Sequence, residues 1–157
     1  MAEIKVRARL CFVGAALGLL SGAVLHLVVL AAGPKWIAFV GAPESVVESA
    51  ERGTWLAPFS TVGIAAFLVI FGAYALAGAG VIRRLPLTRT MLVFVSVVFI
   101  VRGIIIVPLL LAGRVNWSAL PDLFVVGSSV FILAVGVLTG AGLTALSRQP
   151  KAKLPTN

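Results

Sequence analysis

The stretch TMLVFVSVVFIVRGIIIVPLLLAG, residues 90–113, decides the fold of this protein. Its only charge is Arg102, between apolar flanks, and about 20 apolar residues are enough for a helix to cross a bilayer. A guanidinium at the centre of such a helix costs roughly 2.5–3.5 kcal/mol on insertion scales. We therefore expect Arg102 to face protein, water or a bound anion instead of lipid tails.

The composition of the whole chain also indicates a membrane protein. Of 157 residues, 61% are hydrophobic and 11% are charged, whereas soluble domains are about 25% charged. So few polar side chains cannot cover a water-facing surface, and helices satisfy their backbone hydrogen bonds internally in lipid. Cys11 and His26 are the only cysteine and the only histidine, which excludes an intrachain disulfide and multi-histidine metal sites. We accordingly expect no metal, no cofactor and no catalytic set.

Four apolar runs predict four transmembrane helices, at residues 10–33, 55–82, 90–113 and 123–146. Basic residues concentrate before the first run, between the second and third, and after the fourth. The positive-inside rule then places both termini in the cytoplasm, with terminal tails at residues 1–9 and 147–157. Lipid headgroups and membrane orientation explain the net charge of +8, so nucleic acid is not expected as a partner.

The predicted fold is an all-α integral membrane protein, with one domain over residues 1–157. It is an up-down bundle of four transmembrane helices, N-in/C-in, in a bacterial inner membrane, with a short outer interfacial helix between helices one and two. A short link at residues 83–89 makes helices two and three antiparallel neighbours, and a second at residues 114–122 does the same for helices three and four. The expected partners are the lipid bilayer and either further copies of the chain or a larger membrane complex.

The longest loop, residues 34–54, is predicted to form a lid on the outer side of the bundle. Its WIAFV segment, residues 36–40, is apolar but too short to cross a bilayer. We expect this segment to lie in the interface or to be re-entrant. Pro43 then opens a short helix, which Gly53 ends.

This short helix, residues 44–52, has an acidic face that includes Glu44 and Glu48, and Glu48 is placed to pair with Arg52. The favoured interpretation is a solvated interfacial helix on the outer face. The alternative folds Glu44 or Glu48 over the mouth of the bundle, where either carboxylate would pair with Arg102.

The first helix carries small residues and the histidine at four-residue intervals: Gly14, Gly18, Gly22 and His26. Small residues at this spacing let a neighbouring helix approach closely, and Gly136 and Gly140 repeat the spacing on the fourth helix. Packing is the favoured interpretation of all five glycines. The functional alternative places His26 at the outer end of a groove, where it accepts a hydrogen bond from Arg102 or relays a proton.

Two interpretations of Arg102 stay open at this point. In the structural one, the side chain snorkels to the membrane surface, holds helix packing in place, or caps backbone carbonyls, one of which Pro108 leaves without its usual donor. In the functional one, Arg102 belongs to a polar site for a lipid headgroup or a small anion. The other polar candidates for such a site are His26, the outer glutamates, Asp122 and Tyr74.

Three classes of function are consistent with these patterns. The leading hypothesis is a non-enzymatic accessory or interaction protein whose bundle holds a polar site around Arg102 and His26. The first alternative is a component of a proton or small-solute transporter or channel, which needs a continuous polar path. The second is a lipid- or quinone-linked enzyme that uses His26 and a glutamate as acid and base, which needs the two within hydrogen-bond reach.

Overall fold

A computed structural model describes residues 2–147, and these residues form seven α-helices and no strand. The helices are α1 (Ala2–Ala32), α2 (Pro34–Phe39), α3 (Glu44–Glu51), α4 (Leu56–Gly78), α5 (Thr88–Ile104), α6 (Ile106–Leu111) and α7 (Leu120–Ser147). The predicted tail at residues 148–157 lies outside the described residues. The all-helical architecture expected from the sequence is confirmed.

Four segments of the chain are long and apolar enough to cross a membrane, and α5 and α6 together make one of them. The segments are Lys5–Ala32, Leu56–Gly78, Thr88–Leu111 and Leu120–Ser147. Each one exceeds the roughly 20 residues that a hydrocarbon core requires. The prediction of four such helices is confirmed.

The four long segments form a ring in the order α1, α4, α5 and α7, because α4 and α7 each pack against both α1 and α5. Phe12 lies against Gly142 and Gly18 lies against Val135, so α1 and α7 are antiparallel. The other neighbouring pairs are antiparallel in the same way. Consequently α1 and α5 run in the same direction and lie on a diagonal of the ring.

The two ends of the ring differ in charge. At one end α1 begins, the α4–α5 link turns and α7 ends; we call this the basic end. Among the described residues it carries one acid, Glu3, against six basic side chains, namely Lys5, Arg7, Arg9, Arg83, Arg84 and Arg89. The opposite end, which we call the loop end, carries α2, α3 and the α6–α7 link.

Two helix ends differ by four residues or more from those expected from the apolar runs. α1 begins at Ala2 instead of residue 10, because the Ala, Glu, Lys and Arg residues before the run are strong helix formers. α4 ends at Gly78 instead of residue 82, because Gly80 takes a left-handed φ of 69°. The Gly80 N–H then donates to the Ala77 carbonyl at 3.1 Å, which closes the helix.

The third segment is broken at Ile105, between α5 and α6. The Ile105 N–H still donates to the Val101 carbonyl at 3.2 Å. Pro108, one turn later, has no N–H, so the Ile104 carbonyl lacks the donor that a continuous α-helix would supply. The break therefore lies a few residues after Arg102.

Apolar side chains fill the interior near the basic end around Phe12, which is fully buried. The Phe12 ring lies against Gly78 of α4 and Gly142 of α7, where a Cβ atom on Gly142 would be 2.7 Å from a ring carbon. Leu92 and Val95 of α5 belong to the same cluster. These five residues form what we call the Phe12 layer, which takes a contribution from every long segment.

At the loop end, α3 begins at Glu44 as predicted after Pro43 and ends at Glu51, one residue before the predicted end. Gly53, two residues beyond it, has a φ of 66°. The WIAFV segment forms most of α2, a helix of six residues. Ile37 is buried there, and the Phe39 ring centre lies 5.6 Å from that of Phe124 on α7. α2 is therefore held against the beginning of the fourth long segment.

Candidate functional site

Arg102 lies on the outside of the bundle, near the middle of the third long segment. Its side chain is exposed and forms no ion pair and no hydrogen bond within residues 2–147. The next residue, Gly103, is buried against Leu133 of α7. Successive side chains of an α-helix are about 100° apart, so Arg102 does not share the α7 contact of Gly103, and its exposure places it on the outer surface of the bundle.

The surface around Arg102 is otherwise apolar. Phe94, Val98, Val101 and Ile105 are all exposed, and their spacing of four, three and four residues places them on one side of α5. Together with Arg102 they form what we call the Arg102 face. It presents one permanent positive charge in the middle of an apolar stripe.

The capping form of the structural interpretation of Arg102 is not found among the described residues. Pro108 does break the segment as expected, but the guanidinium donates to no backbone carbonyl among the described residues, including that of Ile104. No described hydrogen bond thus ties Arg102 to the break.

His26 lies on α1, diagonally across the ring from α5, and is bonded within its own helix. Its Nδ1–H donates to the Gly22 carbonyl at 2.8 Å, since a carbonyl oxygen only accepts. No carboxylate of residues 2–147 lies within hydrogen-bond distance of the ring. The alternative in which His26 approaches Arg102 is therefore not found among the described contacts, because the two parallel helices lie on a diagonal of the ring.

The remaining polar candidates are also separate from Arg102. Glu44 and Glu48 are exposed on α3, and Glu48 forms the predicted ion pair with the arginine one turn further. The Asp122 carboxylate accepts a hydrogen bond of 2.8 Å from the backbone N–H of Asn116. Tyr74 is half-buried on α4, where it packs against the core cluster. The six polar candidates thus do not converge on one site.

The glycines predicted on α7 are at a close helix contact. A Cβ atom on Gly136 would be 2.8 Å from the backbone nitrogen of Ile100, and one on Gly140 would be 2.9 Å from Ser96 Oγ. Gly103 approaches α7 just as closely, with Leu133 Cα 2.8 Å from its Cβ position. These contacts form what we call the α5–α7 seam.

The glycine stripe of α1 faces two helices instead of one. Gly14 and Gly18 lie against α7, whereas Gly22 lies against Leu68 of α4. Only Gly18 is at a contact that a side chain would obstruct, since a Cβ atom there would be 2.6 Å from Val135 Cγ2. Gly14 and Gly22 have ordinary van der Waals spacing of 3.5 and 3.4 Å.

Two serines that sequence reasoning missed make side-chain hydrogen bonds between different helices. Ser96 Oγ is buried and donates to the Gly136 carbonyl at 2.9 Å, across the α5–α7 seam. Ser49 Oγ accepts from the backbone N–H of Ala57 at 2.9 Å, which caps the first turn of α4 from α3. The sequence does contain a sign of the role of Ser96: after Thr90 at its start, the third apolar run has no other hydroxyl side chain.

Residues 2–147 contain no group of three His, Cys, Asp or Glu side chains that could hold a metal ion. Comparisons with protein-family models, curated protein sequences and solved structures found no significant match to this chain. The Arg102 face remains the place where a charged side chain lies exposed near the middle of a long apolar segment.

Proposed function

We propose that this chain is a small non-enzymatic membrane protein that acts as an accessory subunit and binds a transmembrane helix of another protein through the Arg102 face. The observation that carries this proposal is the exposed position of Arg102 without a partner in residues 2–147. A guanidinium among lipid tails is costly, so it favours any arrangement that supplies a counter-charge. An intramembrane carboxylate on a partner helix supplies one.

Extension of the side chain to the membrane surface is a poor substitute for a partner. Arg102 lies slightly nearer the loop end of its segment. Every Cα–Cβ bond of an α-helix tilts toward the helix N-terminus, which for α5 is the basic end. The side chain would therefore have to extend against this tilt to reach the nearer surface.

A second copy of the chain does not provide the missing carboxylate. The only acid in the four long segments is Asp122, which lies in the first turn of α7 and accepts a backbone hydrogen bond there. Two Arg102 faces in contact would also bring like charges together in a medium of low dielectric constant. We therefore propose a different protein, with Asp or Glu near the middle of a transmembrane helix.

A path for protons or solutes through one bundle is less well supported. Such a path would cross the Phe12 layer, and all the residues of this layer are apolar. The side chains of Phe12, Leu92 and Val95 are fully buried there. The buried hydroxyls do not extend the path, because Ser96 and Thr139 each donate to a backbone carbonyl. The accessory role needs no such path.

The experiment is photo-crosslinking in native membranes, with benzoylphenylalanine placed at Val98 on the Arg102 face and, as a control, at Val69 on the exposed side of α4. We expect one protein adduct of defined mass from position 98 and none from position 69. Adding Arg102→Leu to the position-98 variant should remove the adduct. A partner in which the carboxylate is replaced by lysine should be crosslinked again when this chain carries Arg102→Glu.

Three outcomes would contradict the proposal. An adduct that persists with Arg102→Leu would show that the charge is not used. An adduct with the mass of a second copy would make the face a self-association surface. Adducts with lipid alone would assign Arg102 to a headgroup or another anion, the site that the sequence suggested first.

A further inference from the structure

A cavity at the basic end carries a second inference, independent of the Arg102 face. It has a volume of about 310 Å³ and lies between the end of α4, the beginning of α5 and the end of α7. Arg84, Thr88, Arg89 and Ser147 line its polar side. From this arrangement we infer that the cavity binds the phosphate of an anionic phospholipid, one molecule per chain, with Arg84 and Arg89 as the phosphate ligands.

The two arginines are available for an anion. Neither Arg84 nor Arg89 forms an ion pair within residues 2–147, and both are exposed. The single acid of the described basic end is Glu3, and residues 148–157 contain no Asp or Glu in their sequence. Arginine is well suited to this role because its planar fork donates two parallel hydrogen bonds to phosphate oxygens.

The rest of the cavity indicates that the anion carries hydrocarbon. The remaining lining residues are apolar or small, namely Leu92, Leu143, Leu146, Ala77 and Gly78. A free phosphate gains nothing from such a lining, whereas the first carbons of a lipid gain by leaving water. A cavity lined by both polar and apolar side chains therefore suits the part of a phospholipid where the headgroup joins the acyl chains.

The depth of the cavity in a bilayer is also appropriate. The third segment, Thr88–Leu111, has 24 residues and would span about 36 Å as a continuous helix. The hydrocarbon core is about 30 Å thick, so one or both ends of the segment would reach the headgroup region. Thr88 and Arg89 are its first residues, which places the polar wall at the level of lipid phosphates.

The neighbouring arginine provides a matched control. Arg83 is exposed like Arg84 and precedes it in the same link, but it does not line the cavity. A general attraction of the basic end to anionic lipid would use Arg83 and Arg84 equally. A built site would use Arg84 and Arg89 far more than Arg83.

The test is native mass spectrometry of the delipidated full chain in detergent, titrated with dioleoyl phosphatidylglycerol or dioleoyl phosphatidylcholine. We expect one bound phosphatidylglycerol per chain and a clear preference over phosphatidylcholine. Since a basic residue near an anionic lipid surface contributes about fivefold in affinity, Arg84→Gln with Arg89→Gln should weaken binding roughly 25-fold. Arg83→Gln should stay within about twofold of the original chain.

A second variant tests the cavity without changing the charge. Ser147 is exposed and its hydroxyl donates only to the Thr144 carbonyl of its own helix, so Ser147→Trp should preserve the fold while filling the cavity. It should weaken phosphatidylglycerol binding as much as the double arginine variant does. Circular dichroism of each variant checks that the helices are intact.

The inference would be overturned by any of three results. Equal losses in Arg83→Gln and in the double variant would indicate diffuse attraction. Unchanged binding in Ser147→Trp would place the lipid outside the cavity. Binding of soluble glycerol phosphate as tightly as phosphatidylglycerol would make the free phosphate, and not the lipid, the ligand.

Discussion

Ser96 on α5 is joined to Gly136 on α7 by a buried hydrogen bond of 2.9 Å from the serine hydroxyl to the glycine carbonyl. The bond crosses between two long segments, whereas most other hydroxyls of α4 and α7 donate within their own helix, as Ser60 and Ser129 do. The missing side chains at Gly136 and Gly140 allow the backbones to approach closely enough for it to form. The α5–α7 seam is therefore the most specific contact in the ring.

Loss of this bond should weaken the fold modestly. We expect Ser96→Ala to lower the free energy of unfolding by about 0.6 kcal/mol, the average for hydrogen bonds between membrane helices, and by no more than about 1.7 kcal/mol. Ser21→Ala is the control, because Ser21 is exposed and donates only to the Gly18 carbonyl of its own helix. Titration with a denaturing detergent, followed by circular dichroism, measures both; equal stability of the two variants would contradict the role given to Ser96.

Alanine at the glycines of the seam should have a larger effect. A Cβ atom on Gly103 or Gly136 would meet backbone atoms of the facing helix at 2.8 Å, and backbone cannot move aside as a flexible side chain can. We expect each substitution to cost about 1–3 kcal/mol, as overpacking does. The same detergent titration measures this.

Two glycines outside the seam are the matched controls for that prediction. Gly63 and Gly127 also lie inside long helices, but nothing is within 4 Å of their Cβ positions. Alanine there should be neutral or stabilising by up to about 1 kcal/mol, the difference in helix propensity. If Gly63→Ala destabilised the protein as much as Gly136→Ala, close approach would not explain the seam.

Phe12 should be the most sensitive apolar side chain near the basic end. Phe12→Ala removes a fully buried ring that contacts α4 and α7 and shares a core cluster with Leu92 and Val95 of α5, and such changes cost about 3–5 kcal/mol. Phe59→Ala, at a ring that is 82% exposed, should cost far less. Thermal unfolding in detergent compares them; a similar loss in both variants would contradict the Phe12 layer as the centre of packing.

Ser49 should control the junction between α3 and α4. Its hydroxyl accepts from the Ala57 N–H and lies 2.6 Å from the Thr54 hydroxyl, so Ser49→Ala leaves the first turn of α4 uncapped. We expect a local loss of about 0.5–2 kcal/mol, as for other helix caps. Hydrogen exchange of the Ala57 amide should become faster, by roughly 2- to 30-fold if the opening is local. Ser45→Ala, at an exposed serine of the same helix, should leave that amide unchanged.

Properties that depend on a short stretch of chain were predictable from the sequence. The four apolar segments follow from length and hydropathy, and α3 follows from Pro43 and Gly53 at its ends. The ion pair of Glu48 with Arg52 follows from their spacing alone. Each of these features is decided by residues within a few turns of one another.

The side to which Arg102 points was not predictable in this way. The third run is apolar all around the helix, so no polar stripe distinguishes its inner side from its outer side. Gly103, the next residue, marks the side of the helix that packs against α7, but this is visible only from its close approach to Leu133. The diagonal relation of α1 and α5, which separates His26 from Arg102, likewise depends on the order of the whole ring.

The outward position of Arg102 also bears on how much of this protein a cell retains. Under the proposed function, a chain without its partner would bear the insertion cost of an unpaired arginine, roughly 2.5–3.5 kcal/mol. Each 1.4 kcal/mol changes an equilibrium constant, here that of membrane insertion, about tenfold. Unassembled chains would therefore spend a much larger fraction of time incompletely inserted, where proteases and chaperones act on them. The abundance of this protein would then follow that of its partner, and surplus copies would be degraded.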